Sequence, residues 1–178
     1  LLNNHAQLLV GQGKYMAAEP IHWRALAIRE KALGPDHPDV AESLNNIALL
    51  LDSQGKYAKA EPIAQRSLNI LQKSLGLDHP RVAMALNNLA QILSSLGRYA
   101  DAEQMQRRSL AIREKVLGSD HPEVAQSLNN LAELLTTQGN YASAELIYRR
   151  SLAIYEKALG PNHLEVATSL NNLASFLL

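Results

Sequence analysis

An all-α fold, a solenoid of antiparallel helix pairs, is what this sequence predicts, and three observations predict it. First, Leu44-Asn45-Asn46-Ile47-Ala48 returns almost unchanged at Leu86 to Ala90, Leu128 to Ala132 and Leu170 to Ala174, with Leu2-Asn3-Asn4-His5-Ala6 as a further copy. The second asparagines, at 4, 46, 88, 130 and 172, are each 42 residues apart without an insertion, and so regular a period marks a repeat array. Second, every period holds two helical patterns separated by glycine, the residue that closes a helix in a left-handed conformation. Third, proline follows histidine at Pro38, Pro80 and Pro122, the first helical position, where its fixed φ suits a helix start.

The elements follow in order. The chain opens on a helical pattern at Leu1 to Val10, closed by Gly11-Gln12-Gly13-Lys14-Tyr15, and the same closure recurs at Gly55-Lys56-Tyr57, Gly97-Arg98-Tyr99 and Gly139-Asn140-Tyr141. A second, longer pattern follows each tyrosine and ends at Gly34, Gly76, Gly118 and Gly160, before a four-residue connector such as Pro35-Asp36-His37-Pro38. Nine helices are expected: A helices near 1–11, 39–54, 81–96, 123–138 and 165–178, and B helices near 15–33, 57–75, 99–117 and 141–159. The domain expectation is a single solenoid: a partial repeat at 1–34, repeats at 35–76, 77–118 and 119–160, and a terminal helix within 161–178. Pro20 and Pro62 lie inside two B helices, where proline loses a backbone bond and crowds the preceding turn. Those two helices are expected to bend or to start late.

Composition narrows function. In 178 residues, 17 Lys and Arg balance 17 Asp and Glu, so no global field draws the chain to nucleic acid or an anionic membrane. Neither partner is expected, and nothing in the sequence asks for a cofactor. There is no cysteine, which excludes disulfides and thiolate metal sites. With no leader pattern and no apolar run near the roughly 18 residues of a membrane span, the expectation is a cytoplasmic protein. Glycine-rich phosphate loops, H-E-x-x-H and G-x-S-x-G are all missing from the sequence, and an enzyme is not expected.

Helical periodicity, about 100° per residue, assigns the faces. Val40, Leu44, Ile47, Ala48 and Leu51 form one stripe that must pack on the partner helix and the next repeat. Opposite them lie Glu42, Asn46, Leu49 and Ser53, then Met84, Asn88, Gln91 and Ser95, then Gln126, Asn130, Glu133 and Thr137. That face should see solvent or a ligand. On the B helices Ala60, Ile63, Ser67, Leu68 and Leu75 form the core stripe, and Ala18, Ala60, Ala102 and Ala144 allow close approach.

The pattern G-x-Y-x-x-A-E, then S-L-x-I-x-E-K-x-L-G-x-D-H-P-x-V-A-x-S-L-N-N-L-A, resembles the 42-residue tetratricopeptide repeats of kinesin light chains and their bacterial relatives. Gly97 to Glu103 through Leu128 to Ala132 reproduces it nearly completely. The resemblance implies a right-handed superhelix whose A helices line a concave groove for peptides or protein segments. In kinesin light chains the ligand is typically a tryptophan flanked by acidic residues, so a partner with acidic residues is among those implied. The family's groove asparagine maps onto Asn46, Asn88 and Asn130. An amide there offers a donor and an acceptor to an extended backbone. Four residues earlier, where the family often has a basic side chain, stand Glu42, Met84, Gln126 and Thr168. The family's basic position near the end of helix B is kept at Arg29 and Arg113 and becomes Leu71 and Tyr155 elsewhere.

By helical phase Arg29 and Arg113 face the core side, where a guanidinium needs a partner. Each either reaches the groove edge near Asn46 or Asn130, or forms an internal pair, with Glu42 in the case of Arg29. The groove is the expected destination of Arg113, whose neighbour at 126 is glutamine. The first asparagines Asn45, Asn87 and Asn129 are expected to bond to neighbouring backbone. His37, His79, His121 and His163 recur once per repeat, too far apart to share a metal ion, and are expected at helix starts. Tyr15, Tyr57, Tyr99 and Tyr141 are expected to pack, and Arg107, Arg108, Arg149 and Arg150 to form a solvated convex face. Trp23 stands where other repeats have Gln65, Arg107 and Arg149. Two function classes remain: a module binding a peptide on the concave face, or a structural or regulatory arm of a larger protein, including a scaffold that associates end to end.

Overall fold

The computed structural model of the chain describes residues 14–177. Among them eight helices follow one another and no strand occurs: α1 (Tyr15–Leu33), α2 (Pro38–Ser53), α3 (Tyr57–Leu75), α4 (Pro80–Ser95), α5 (Tyr99–Leu117), α6 (Pro122–Thr137), α7 (Tyr141–Leu159) and α8 (Leu164–Leu177). The B helices are α1, α3, α5 and α7, and the A helices α2, α4, α6 and α8, each within one residue of its expected bounds. The first A helix, expected near 1–11 with Leu2, Asn4 and His5, lies outside the described residues.

The chain forms two compact units, Leu1–Gly97 and Arg98–Leu178. In the first, α2 packs between α1 and α3, α3 packs on α4, and α2 also touches α4. The expected stripe Val40, Leu44, Ile47, Ala48 and Leu51 is buried, as are Val82, Leu86 and Leu89 on α4. Ala18 and Ala60 are fully enclosed, so these B helices approach their neighbours at alanine. Ser67 Oγ, buried at the same interface, donates to the Ala41 carbonyl at 2.7 Å, which satisfies a hydroxyl that burial would otherwise penalise. Ile63 and Leu75, expected in the core, are only half-buried. The second unit repeats the plan: α6 lies between α5 and α7, and α7 packs on α8. Leu128, Leu131, Leu135, Ala144, Tyr148 and Tyr155 make its core, and Ser151 Oγ donates to the Ala125 carbonyl at 2.8 Å.

Polar groups set where helices begin and end. His37, His79 and His121 cap α2, α4 and α6: each Nδ1 accepts from the backbone N–H two residues on, at 3.1, 3.1 and 3.2 Å. His163 does the same for Glu165 N at 3.2 Å. The recurring histidines therefore answer an unpaired helix N-terminus. At the far end of α2, Lys56 N donates to Leu51 O and Gly55 N to Asp52 O, both at 2.8 Å. This paired closure requires a left-handed residue, supplied by Gly55 at φ +71°.

Of the two outcomes expected at Pro20 and Pro62, a bend or a late start, the late start does not occur. All four B helices start at the equivalent tyrosine and run 19 residues. Both prolines are exposed, as are Met16 and Ala58 one turn earlier, so the carbonyls that lose an N–H partner lie on the solvent side.

Exposed ion pairs join each of two B helices to the preceding B helix or to the connector that follows it. Arg66 meets Glu30 at 2.7 Å and Lys73 meets Asp36 at 2.6 Å in the first unit, and Arg150 meets Glu114 and Lys157 meets Asp120 in the second. Such pairs contribute up to about 1 kcal/mol each. Arg107 with Glu103 and Arg149 with Glu145 pair within one helix at 2.8 and 2.6 Å. Tyr141, expected to pack, is 60% exposed and keeps only a tilted contact with Phe176, centroids 6.2 Å apart. Trp23 is exposed.

Candidate functional site

In the first unit α2 and α4 run side by side in the same direction, because three side-chain bonds between them ascend both helices together. Arg81 Nη2 donates to Pro38 O at 3.0 Å, Asn88 Nδ2 to Asn45 Oδ1 at 2.8 Å, and Gln91 Nε2 to Asp52 Oδ2 at 3.1 Å. A recess of about 530 Å³ opens over this seam. Glu42, Asn45, Asn46 and Leu49 line it from α2, Leu71 from α3, and Arg81, Met84 and Asn88 from α4. Leu49, Leu71 and Met84 give it an apolar floor, and the asparagines and two opposite charges give it polar walls. Met84, 44% exposed, presents an apolar side chain that the fold leaves open.

The sequence-derived candidates divide as follows. Glu42, Asn46, Leu49, Met84 and Asn88 come together in the recess, and Gln91 stands farther along the same seam, bonded to Asp52. Gln126 is exposed and Asn130 half-buried on α6 of the second unit. Among the described residues Asn46 Nδ2 is buried without a partner. Asn45, expected to bond to backbone, instead accepts from Asn88 and lines the recess. A buried acceptor on one A helix suits the amide donor arriving from the next, so each asparagine pair can serve two neighbours. In the second unit this link is open, and Asn129 Oδ1 is buried without a partner.

At Arg29 and Arg113 the internal pair is the one made. Arg29 Nη1 donates to Asp39 O at 2.8 Å and to Ser43 Oγ at 2.9 Å, and lies 3.6 Å from Glu42 Oε2. Arg113 Nη1 donates to Ser127 Oγ and, at 3.3 Å, to Glu123 O, with Nε 3.8 Å from the Glu123 carboxylate. Glu123, one turn before Gln126, supplies the counter-charge that glutamine lacks. The Arg113 side chain is only 12% exposed, and burial lowers its pKa against the supporting charge of Glu123. A sequence signal for this clamp existed. Arginine at 29 and 113 goes with serine at 43 and 127, whereas Leu71 goes with Ala85.

Three groups on this face escaped sequence reasoning. Leu71, the repeat equivalent of Arg29, forms part of the floor. Arg81 occupies a position that is Asp39, Glu123 and Glu165 elsewhere, and it has no carboxylate partner among the described residues. Asp52, where other repeats have Ser94 and Thr136, has one oxygen bonded to Gln91 and the other buried without a partner. Burial raises its pKa, and hydrogen bonds from Gln91 and Ser95 offset part of the rise. The signal in each case was a departure from the repeat.

Antiparallel helix pairs at a 42-residue period, with an open recess between two A helices of the first unit, define a helical-repeat protein of the kind that presents a surface to partners. The chain belongs to the tetratricopeptide repeat family, whose model matches residues 1–73, 53–115 and 81–157. It is similar in structure to the nearly identical TPR-like repeats of a kinesin light chain assigned in Podosopora anserina, at 24% identity over 98% of this chain and 82% of that one, TM-score 0.87. It is also similar to BtubC (BKLC) from P. vanneervenii, at 25% identity over 98% and 70%, TM-score 0.86. A third similar structure is a Rap protein complexed with Competence and Sporulation Factor, at 17% identity over 97% of this chain and 46% of that one, TM-score 0.76. No curated protein sequence matches significantly. The family is a repeat scaffold and no catalytic family is indicated. Among the described residues no helix is long and apolar enough to cross a membrane.

Proposed function

We propose that this chain is a protein-interaction module whose recess between α2 and α4 accepts a short extended segment of a protein or peptide partner. The observation that carries the reading is the recess itself: an apolar floor of Leu49, Leu71 and Met84 between amide walls. An extended segment needs its backbone groups satisfied and a pocket for an alternate side chain, and this lining offers both. Among the described residues Arg81 is the recess cation without a carboxylate partner, whereas Glu42 is engaged by Arg29, so segments bearing an acidic side chain are favoured. The resemblance to kinesin light chains agrees with that preference, and the likeness to a Rap protein complexed with a factor is compatible with the reading. In this reading Arg29 clamps α1 to α2 beside the recess, Arg113 clamps α5 to α6 within the second unit, and neither contacts the ligand.

A peptide array probed with the purified chain tests this. Signals should disappear with Met84→Glu, which places a charge on the open floor, and persist with Leu146→Glu, an equally conservative change at a residue that is 71% exposed on α7. Array signals that survive Met84→Glu with unchanged intensity would remove the recess from the account.

A further inference from the structure

We propose that the recess is one end of a bipolar groove, whose ligands carry an acidic side chain held at Arg81 and a basic side chain about five residues away held at Asp52. This deepens the reading above and rests on it. Along α4, Arg81 and Gln91, the partner of Asp52, are ten residues apart. At 1.5 Å per residue that is about 15 Å, which four to five extended residues span.

The charges at the two ends of the seam differ. At the Arg81 end, Glu42 is paired with Arg29, and the half-exposed Asp39 carboxylate, 3.8 Å from a His37 Nδ1 that accepts from Asp39 N, makes no ion pair with Arg81. At the Asp52 end, Lys56 is paired with Glu19 at 3.4 Å. Arg81 and Asp52 are left without an opposite charge among the described residues. The Asp52 carboxylate is also under-solvated, because one oxygen is closed off with no donor and burial disfavours its charged form. An arriving cation relieves that cost, which neutral Gln91 and Ser95 relieve only in part.

The helices act in the same sense. Arg81 stands in the first turn of α4 and Asp52 in the last turn of α2, and the two helices run in the same direction. The N-terminal ends of their macrodipoles favour an anion at the Arg81 end. Their C-termini favour a cation at the Asp52 end. The apolar floor lies between, so the ligand pattern is acid, apolar centre, base. Both chain directions satisfy it.

Four acetylated and amidated seven-residue peptides with a central leucine make the test. They carry Glu at position 1 and Lys at position 6, Glu at both, Lys at both, or Gln at both. Affinities come from titrations followed in nitrogen-15 spectra of the full chain, which also report the side-chain amides of Asn45, Asn88 and Gln91. The Glu/Lys peptide should bind about fivefold tighter than either like-charged peptide at low salt, the size an exposed ion pair supports. Asp52→Asn, which keeps the acceptor for Gln91, should remove its advantage over the Glu/Glu peptide. Arg81→Gln should remove its advantage over the Lys/Lys peptide. If the peptides bind in the recess but Asp52→Asn leaves that advantage intact, the bipolar groove is wrong and the recess stands. If no peptide, the Gln form included, shifts the recess amides, both readings fall.

Discussion

Replacing one leucine at the same repeat position in two A helices measures how far stability comes from stacking. Leu128 on α6 is 1% exposed, and Leu170 on α8, one period later, is 47% exposed. Leu→Ala removes three carbons. At about 0.8 kcal/mol per buried CH₂ the transfer loss at Leu128 is roughly 2.4 kcal/mol, and the cavity adds to it, giving about 3–4 kcal/mol. At Leu170 about half the side chain is already in water, and no closed cavity is created. The loss there should be near 1 kcal/mol. Urea unfolding followed by helical circular dichroism reads both, provided the slope with denaturant is unchanged. Equal losses, or a larger one at Leu170, would refute the argument that a leucine in this array is stabilised by the helices stacked on both sides of it.

Asp52→Asn should stabilise the chain at neutral pH by removing an under-solvated charge. Because burial raises the Asp52 pKa, the wild-type penalty grows as pH rises from the ordinary aspartate value through the raised one, so the advantage of Asp52→Asn should vanish near pH 3. A constant melting difference across that range would contradict this. Arg113→Leu alone should cost about 1–3 kcal/mol by leaving Ser127 without its donor, while Arg113→Leu with Ser127→Ala, which copies Leu71 and Ala85, should recover most of the loss. The check is a double-mutant cycle, where a coupling near zero would contradict the clamp.

Much of the fold was legible because a strict period turns each local signal into several. The glycine closures and proline starts place the helices that carry them to within a residue, α8 follows from the period alone, and the histidines read correctly as helix-start residues because no two could share an ion. Where reasoning failed, it treated one residue without its surroundings. Pro20 and Pro62 looked able to delay their helices, yet they sit on the solvent face and both helices start at the shared tyrosine. Arg113 was expected in the groove because Gln126 is neutral, although Glu123 lies a turn away. Asn45 was expected to bond to neighbouring backbone, but the next A helix is close enough for Asn88 to reach it. Arg81 and Asp52 were missed for a different reason. Aligning repeats emphasises what they share, whereas a ligand-selecting groove is written in the positions where one repeat differs from the others.

The most direct measurement takes the strongest peptide from the array, with its apolar residue replaced by a photo-reactive leucine analogue, and maps the cross-linked residues by mass spectrometry. The account predicts links to Leu49, Leu71 or Met84, competed away by the unmodified peptide. Links concentrated instead around Arg107, Arg149 or Trp23 would place the ligand off the recess and contradict it.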